Sequence, residues 1–174
     1  MGDLSSKVDF LEARLTLLER RIEALTSGDA NVTPITGRRL LPCTQPGLII
    51  ARAYALEHTE VGEPFCWVGN DGPLQFLLPV AVRQSAPCRM ILLPHPAVDF
   101  SRVEVIANDT RVPAAARALN GDKLSLEFEV PGTAAPHLNI SLQNVASRRP
   151  CDLGENTDTR LLSARFFAIE IGAD

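Results

Sequence analysis

The sequence predicts a mainly β protein: an antiparallel β-sandwich, jelly-roll-like, behind an N-terminal α-helical coiled coil. Three observations carry this expectation. Apolar residues recur at heptad spacing from Leu4 to Leu25 and nowhere later. Short alternating or continuous apolar runs follow, and turn-forming Asn, Asp, Gly and Pro residues separate them. No second long helical repeat interrupts those runs, as a parallel α/β sheet would require. With 174 residues there is room for one domain with a substantial core plus an appendage. The expected division is a helix over 1–26, a linker over 27–45 and a β-sandwich over 46–174.

In the opening helix Val8, Leu15 and Ile22 take the a positions, and Leu4, Leu11, Leu18 and Leu25 take d. A stripe this narrow fits a seam against other helices better than a broad face laid on a globular core. A lone helix of this length is marginal in water, because nucleation is costly and no surface compensates. Lys7, Arg14 and Arg21 lie at g, while Glu12 and Glu19 lie at the following e positions. Parallel copies therefore set Lys7 against Glu12 and Arg14 against Glu19, whereas antiparallel copies bring basic residues together. Val and Ile at a favour two strands, and Leu15 weakens that preference. Folding back onto the chain's own domain is the alternative. The polar stretch Ser27–Gly37, with Gly28 as a C-cap and Pro34 within it, argues against that and reads as a helix stop and linker.

Candidate strands follow at 47–54, 63–69, 73–80, 88–94, 102–108, 123–130, 137–144 and 163–171. Alternation is cleanest at Leu124, Leu126, Phe128 and Val130, which are expected to point inward. Turn signals stand at "NDGP" (70–73), "NDT" (108–110), "NGD" (120–122) and "PGT" (131–133). "VPAAARALNG" (112–121) reads as a brief helical turn, and 13 prolines suit a loop-rich β-structure.

A formal charge of −4 and a pI near 5.4 offer no attraction to nucleic acid or anionic lipid, which need clustered cations. The N-terminus lacks the apolar block of a secretory signal, and no stretch approaches the roughly 20 apolar residues of a membrane helix. A cytoplasmic location is expected. "MGDLSS" matches a myristoylation pattern too short to carry weight. Cys43, Cys66, Cys88 and Cys151 are scattered and form no metal-binding spacing, so reduced thiols are expected. The sequons at Asn31, Asn108 and Asn139 matter only in a secretory pathway.

No cofactor or metal motif is present, and His58, His95 and His137 share no ligand spacing and no recognisable nucleophile. The chain is read as non-enzymatic. Two places are richer in chemistry. Trp67, the single tryptophan, precedes Asn70 and Asp71; an indole beside amide and carboxylate groups suits sugar recognition, while a core anchor is the plainer role. Before the last strand, Asp152, Glu155, Asn156, Asp158 and Arg160 crowd a loop that either holds a ligand or closes on itself through a pair of Arg160 with Asp152 or Asp158.

Two resemblances add to these readings. "RLTLLE" (14–19) resembles the short trimerisation motif of parallel three-stranded coiled coils, and "KVDFLE" (7–12) repeats it with Lys in place of Arg. This implies a homotrimer over a homodimer. The Trp-Val-Gly at 67–69, "VEVIANDTRVP" (103–113), the Asp-Leu-Gly at 152–154, the Asp-x-Arg at 158–160 and "FFAIEI" (166–171) together resemble β-sandwich modules attached to bacterial glycosyltransferases and other polysaccharide-related proteins. Cys151 replaces an expected Ser, and "LLSARFF" lacks the usual Leu-Gly after the Arg. The resemblance implies a non-catalytic accessory module of a glycan-binding kind, with Trp67, Asp152, Asp158 and Arg160 as the positions to watch. The expected function is multivalent carbohydrate binding, and the alternative is a scaffold whose sandwich binds a partner protein.

Overall fold

The structure, a computed structural model, describes residues 33–69 and 71–173. The chain divides into a unit of Met1–Asn31 and a unit of Val32–Asp174. The heptad helix, its oligomerisation positions and Asn70 lie outside the described residues.

The second unit is mainly β. Its strands in chain order are β1 (Thr33–Pro34), β2 (Arg39–Pro42), β3 (Ile49–Ile50), β4 (Ala53–His58), β5 (Pro64–Val68), β6 (Leu74–Leu78) and β7 (Val80–Ala81). There follow β8 (Ala86–Pro94), β9 (Glu104–Ala107), β10 (Thr110–Val112), β11 (Ala114–Ala118), β12 (Leu124–Val130), β13 (Leu138–Gln143) and β14 (Ala164–Ile171). Seven strands form one antiparallel sheet in the order β11-β12-β8-β14-β5-β4, with β2 also paired to β14. Five form a second in the order β10-β9-β13-β6-β3, and β1 and β7 make a short parallel pair.

The pleat explains the core. Alternate residues of β5, β8, β12 and β14 in the larger sheet meet those of β6, β9 and β13 in the smaller one, giving a single apolar cluster. Phe76 of β6 meets Phe166 of β14 with ring centroids 5.1 Å apart, so the two sheets touch through their inner faces. Each such large side chain contributes about 1.5–3 kcal/mol on burial. Leu126, Phe128 and Val130 face this core, and Leu124 lies partly buried against it.

Three local readings differ from the sequence expectation. Residues 114–118 are not helical: they form β11, paired residue for residue with β12 from Ala114–Phe128 to Ala118–Leu124. The intrinsic helix preference of Ala is small, and a complete ladder beside a preformed strand outweighs it. The expected strand 47–54 is broken by a turn at Ala51–Arg52, where Arg52 has φ 60°. Within the segment expected as linker, Arg39–Pro42 pairs with Ile171–Ala168 of β14, and Leu41 is fully buried.

Two irregularities shape the outer face of the larger sheet and its rim. β14 carries a β-bulge against β8 between Phe166 and Ala168. Phe166 and Ile169 both belong to the core across two intervening residues, and Phe167 turns away from it. In the hairpin joining β11 and β12, Gly121 and Asp122 adopt φ of 73° and 63°, the left-handed backbone that Gly and Asp tolerate.

Candidate functional site

On the outer face of the larger sheet, Trp67 lies half-buried in β5 between Cys66 and Val68, which point into the core. Its neighbour across the ladder is Arg165 of β14, and Leu93 of β8 is the next residue in the same row. These three side chains stand abreast because each strand contributes the residue of the same pleat phase. They form one side of a cavity of about 470 Å³. Pro94, His95, Pro96 and Val98 supply a second side, and Asp122 reaches in from the β11–β12 turn.

The Arg165 guanidinium lies against two rings, 4.8 Å from the Phe65 centroid and 4.9 Å from that of Trp67. Its Nε is buried without a hydrogen-bond partner. Phe65 meets Trp67 edge-on at 6.2 Å and Phe167 at 5.8 Å, so a continuous aromatic patch backs the cation. Lys123 caps that patch 4.0 Å above the Phe167 ring and is held by both Glu63 oxygens at 2.6 Å. The bulge creates this arrangement by turning Phe167 outward.

His95 is 3% exposed and fixed from both sides. Its Nδ1 accepts the Ala97 N–H at 3.3 Å, so the ring proton sits on Nε2, 3.2 Å from a Glu155 carboxylate oxygen. Its backbone N–H donates to the Ser163 carbonyl at 2.9 Å, tying the proline-flanked loop to the start of β14. The imidazole is therefore a wall of the cavity, 6.3 Å from Trp67 between centroids.

Of the positions singled out in the sequence, Trp67 lines this cavity and the other described ones do not. Asp71 is exposed beyond the end of β5. Asp152 is exposed in a 3-10 turn at Pro150–Leu153, where its Oδ1 lies 3.5 Å from the Cys151 thiol. Asp158 and Arg160 bind each other: Nε reaches Oδ1 and Oδ2 at 3.1 and 3.0 Å, and an Arg160 terminal nitrogen reaches Oδ2 at 2.7 Å. The other terminal nitrogen donates to Glu57 at 2.8 Å, and the guanidinium lies 5.3 Å from the Tyr54 ring. Hydrogen bonds from Arg160 hold the Asp158 carboxyl below the usual carboxylate range, and Asp158 and Glu57 raise Arg160 in turn. This pair closes the loop onto β4.

Sequence reasoning passed over Arg165 and Asp122 and weighed His95 only as a metal ligand or catalytic partner. Each left a trace: a lone cation inside "SARFFAIEI", a His between prolines, and an acid in the "NGD" turn.

A second cavity, about 420 Å³, borders Arg38, Arg89, Glu127 and Glu170. Burial works against ionisation of Glu170, but hydrogen bonds from Arg38 and Arg89 outweigh it and hold the carboxyl low. Its principal charges neutralise one another. Among the described residues no group of three or more His, Cys, Asp and Glu is placed to hold a metal ion, and no helix is long and apolar enough to cross a membrane. Cys43, Cys66, Cys88 and Cys151 are free thiols. Comparison with family models, curated proteins and solved structures gave no match.

Proposed function

We propose that this chain is a non-catalytic carbohydrate-binding module, displayed in several copies by a parallel, trimeric coiled coil over residues 1–26. The observation that carries the reading is Trp67: a half-buried indole walling a 470 Å³ cavity beside Arg165 and Asp122. An aromatic surface accepts the C–H face of a sugar ring, while guanidinium donors and a carboxylate acceptor engage hydroxyls. The strand order supports a jelly-roll sandwich as the scaffold. From β5 onward the chain crosses repeatedly between sheets, giving β5-β14-β8-β12 opposite β6-β13-β9-β10. The heptad stripe supports clustering, which lifts the avidity of weak sites by about 10²–10⁴ without new contacts.

A glycan array probed with the full chain tests the reading, followed by titration of Trp67 fluorescence with the best-retained glycan. Saturable quenching is expected, with at least a tenfold loss of binding in Trp67→Ala, equivalent to about 1.4 kcal/mol. No retained glycan removes the carbohydrate reading. The scaffold alternative draws on Leu56 and Val61, which are 48% and 89% exposed along the β4 side of the larger sheet.

A further inference from the structure

We propose that the Trp67 cavity selects acidic saccharides, with Arg165 seating a carboxylate carried on the sugar ring. The proposal rests on the carbohydrate reading above and names the ligand class.

Arg165 differs from the five arginines that are ion-paired among the described residues. Arg160 is held by Asp158 and Glu57, Arg38 and Arg89 share Glu170, and Arg111 and Arg117 pair with Glu104 and Glu127. Among the described residues Arg165 has no carboxylate within ion-pairing distance, although its Nε is buried. The Nε atoms of Arg52 and Arg89 are buried without a partner in the same way, so the groups of Arg165 that a ligand reaches are its terminal nitrogens, and a carboxylate there supplies the charge partner that the protein does not. Nearby cations offer no rival seat, because Lys123 is already held by Glu63.

Stacking then sets direction. Phe65 and Trp67, two positions apart on β5 and edge-on to each other, take one side of the guanidinium and leave the fork of its terminal N–H groups for an acceptor. A planar acceptor with two oxygens matches that fork, and a carboxylate on a pyranose that itself stacks on Trp67 meets both requirements. The apolar surroundings from Leu93 and the two prolines reduce screening and strengthen the pairing.

The remaining groups define one anionic seat. His95 is committed through Nδ1 to Ala97 and through Nε2 to Glu155, so its ring adds shape but no free donor. Asp122 accepts hydroxyls and repels a second negative charge placed at its end of the cavity. The preferred ligand thus carries a single carboxylate at the Arg165 end and hydroxyls toward Asp122.

The test uses the full chain and an array of neutral, uronate-containing, sialylated and sulfated glycans. The best-retained acid is then compared with its own methyl ester by Trp67 fluorescence. The acid is expected to bind at least roughly tenfold more tightly than the ester, with the advantage reduced at high salt and abolished in Arg165→Gln. Equal binding of acid and ester, or retention of neutral glycans alone, overturns the acidic preference and leaves the carbohydrate reading standing. Preference for sulfated over carboxylated glycans also overturns the carboxylate seat, and no retention of any glycan overturns both readings. If Arg165→Gln does not fold, the acid-to-ester comparison in the unaltered protein decides the matter alone.

Discussion

A methyl group added at residue 69 would sit 1.8 Å from the Leu161 carbonyl oxygen and 2.9 Å from the Leu162 Cα, so the backbone itself forbids any side chain there. Gly69 follows β5 directly, and the Ser163 N–H donates to the Val68 carbonyl at 2.8 Å, which closes the end of β5 against the segment leading into β14. The close approach keeps Trp67 and Arg165 on adjacent, tightly paired strands. Gly69→Ala is therefore expected to lower stability by about 2–3 kcal/mol in urea unfolding. Gly37→Ala is the control: its Cβ meets nothing within 4 Å, and the expected change is within about 0.5 kcal/mol. The buried thiols give a second residue-level prediction. Burial pushes Cys66 up to about 12 and raises Cys88 as well, so neither presents thiolate near neutral pH. Iodoacetamide at pH 8 should leave both unmodified in the native protein and label them after urea unfolding, as read by mass spectrometry. Rapid labelling of Cys66 in the folded protein would contradict its place in the core.

Among the elements, the loop before β14 is anchored through Arg160, whose contacts with Asp158, Glu57 and Tyr54 tie it to β4. Its role is a latch, and Arg160→Gln should cost about 1 kcal/mol near pH 7, since the side chain is a third exposed and solvent weakens the pair. The sign of the pH dependence follows from Asp158. Its carboxyl is lowered in the folded protein, so this contribution is complete above its unfolded value near about 4 and is lost as pH falls through the folded value. The difference between Arg160→Gln and the unaltered protein should stay constant from pH 8 to about pH 5 and shrink below about pH 4. A difference that grows on acidification would contradict the latch. Strands such as β12, with Leu126, Phe128 and Val130 inward, were legible because one-sided burial writes a period of two into the sequence. β11 was not legible: its alanines alternate nothing, and its strand state comes from pairing with β12. β2 was equally silent, since only one of its four residues is buried. The candidate site shows the same division. Trp67 announced itself by rarity, but the partners that complete its cavity arrive from β14, the β8–β9 loop and the β11–β12 turn, and no spacing in one chain segment encodes that meeting.

For the molecule as a whole, the β unit begins earlier than its composition implies, and this governs how oligomerisation can be separated from binding. β2 adds four paired positions to β14 and buries Leu41 completely, on the same strand that carries Arg165. A fragment starting at Pro46 therefore loses a core side chain and exposes part of the β14 ladder; loss of Leu41 alone is expected to cost about 2–5 kcal/mol. A fragment starting at Val32 keeps every described strand. If the heptad stripe is covered only by sister copies, the full chain should sediment as a trimer at micromolar concentration, and the Val32 fragment should sediment as a monomer with an unchanged urea midpoint. Both should bind a soluble monovalent saccharide equally, because the cavity residues all lie in the β unit. On a glycan-coated surface the full chain should be retained about 10²–10⁴ times more strongly. Equal surface retention by trimer and monomer would show that the sites do not engage together, and a monomeric full chain would remove the coiled coil as the source of multivalency.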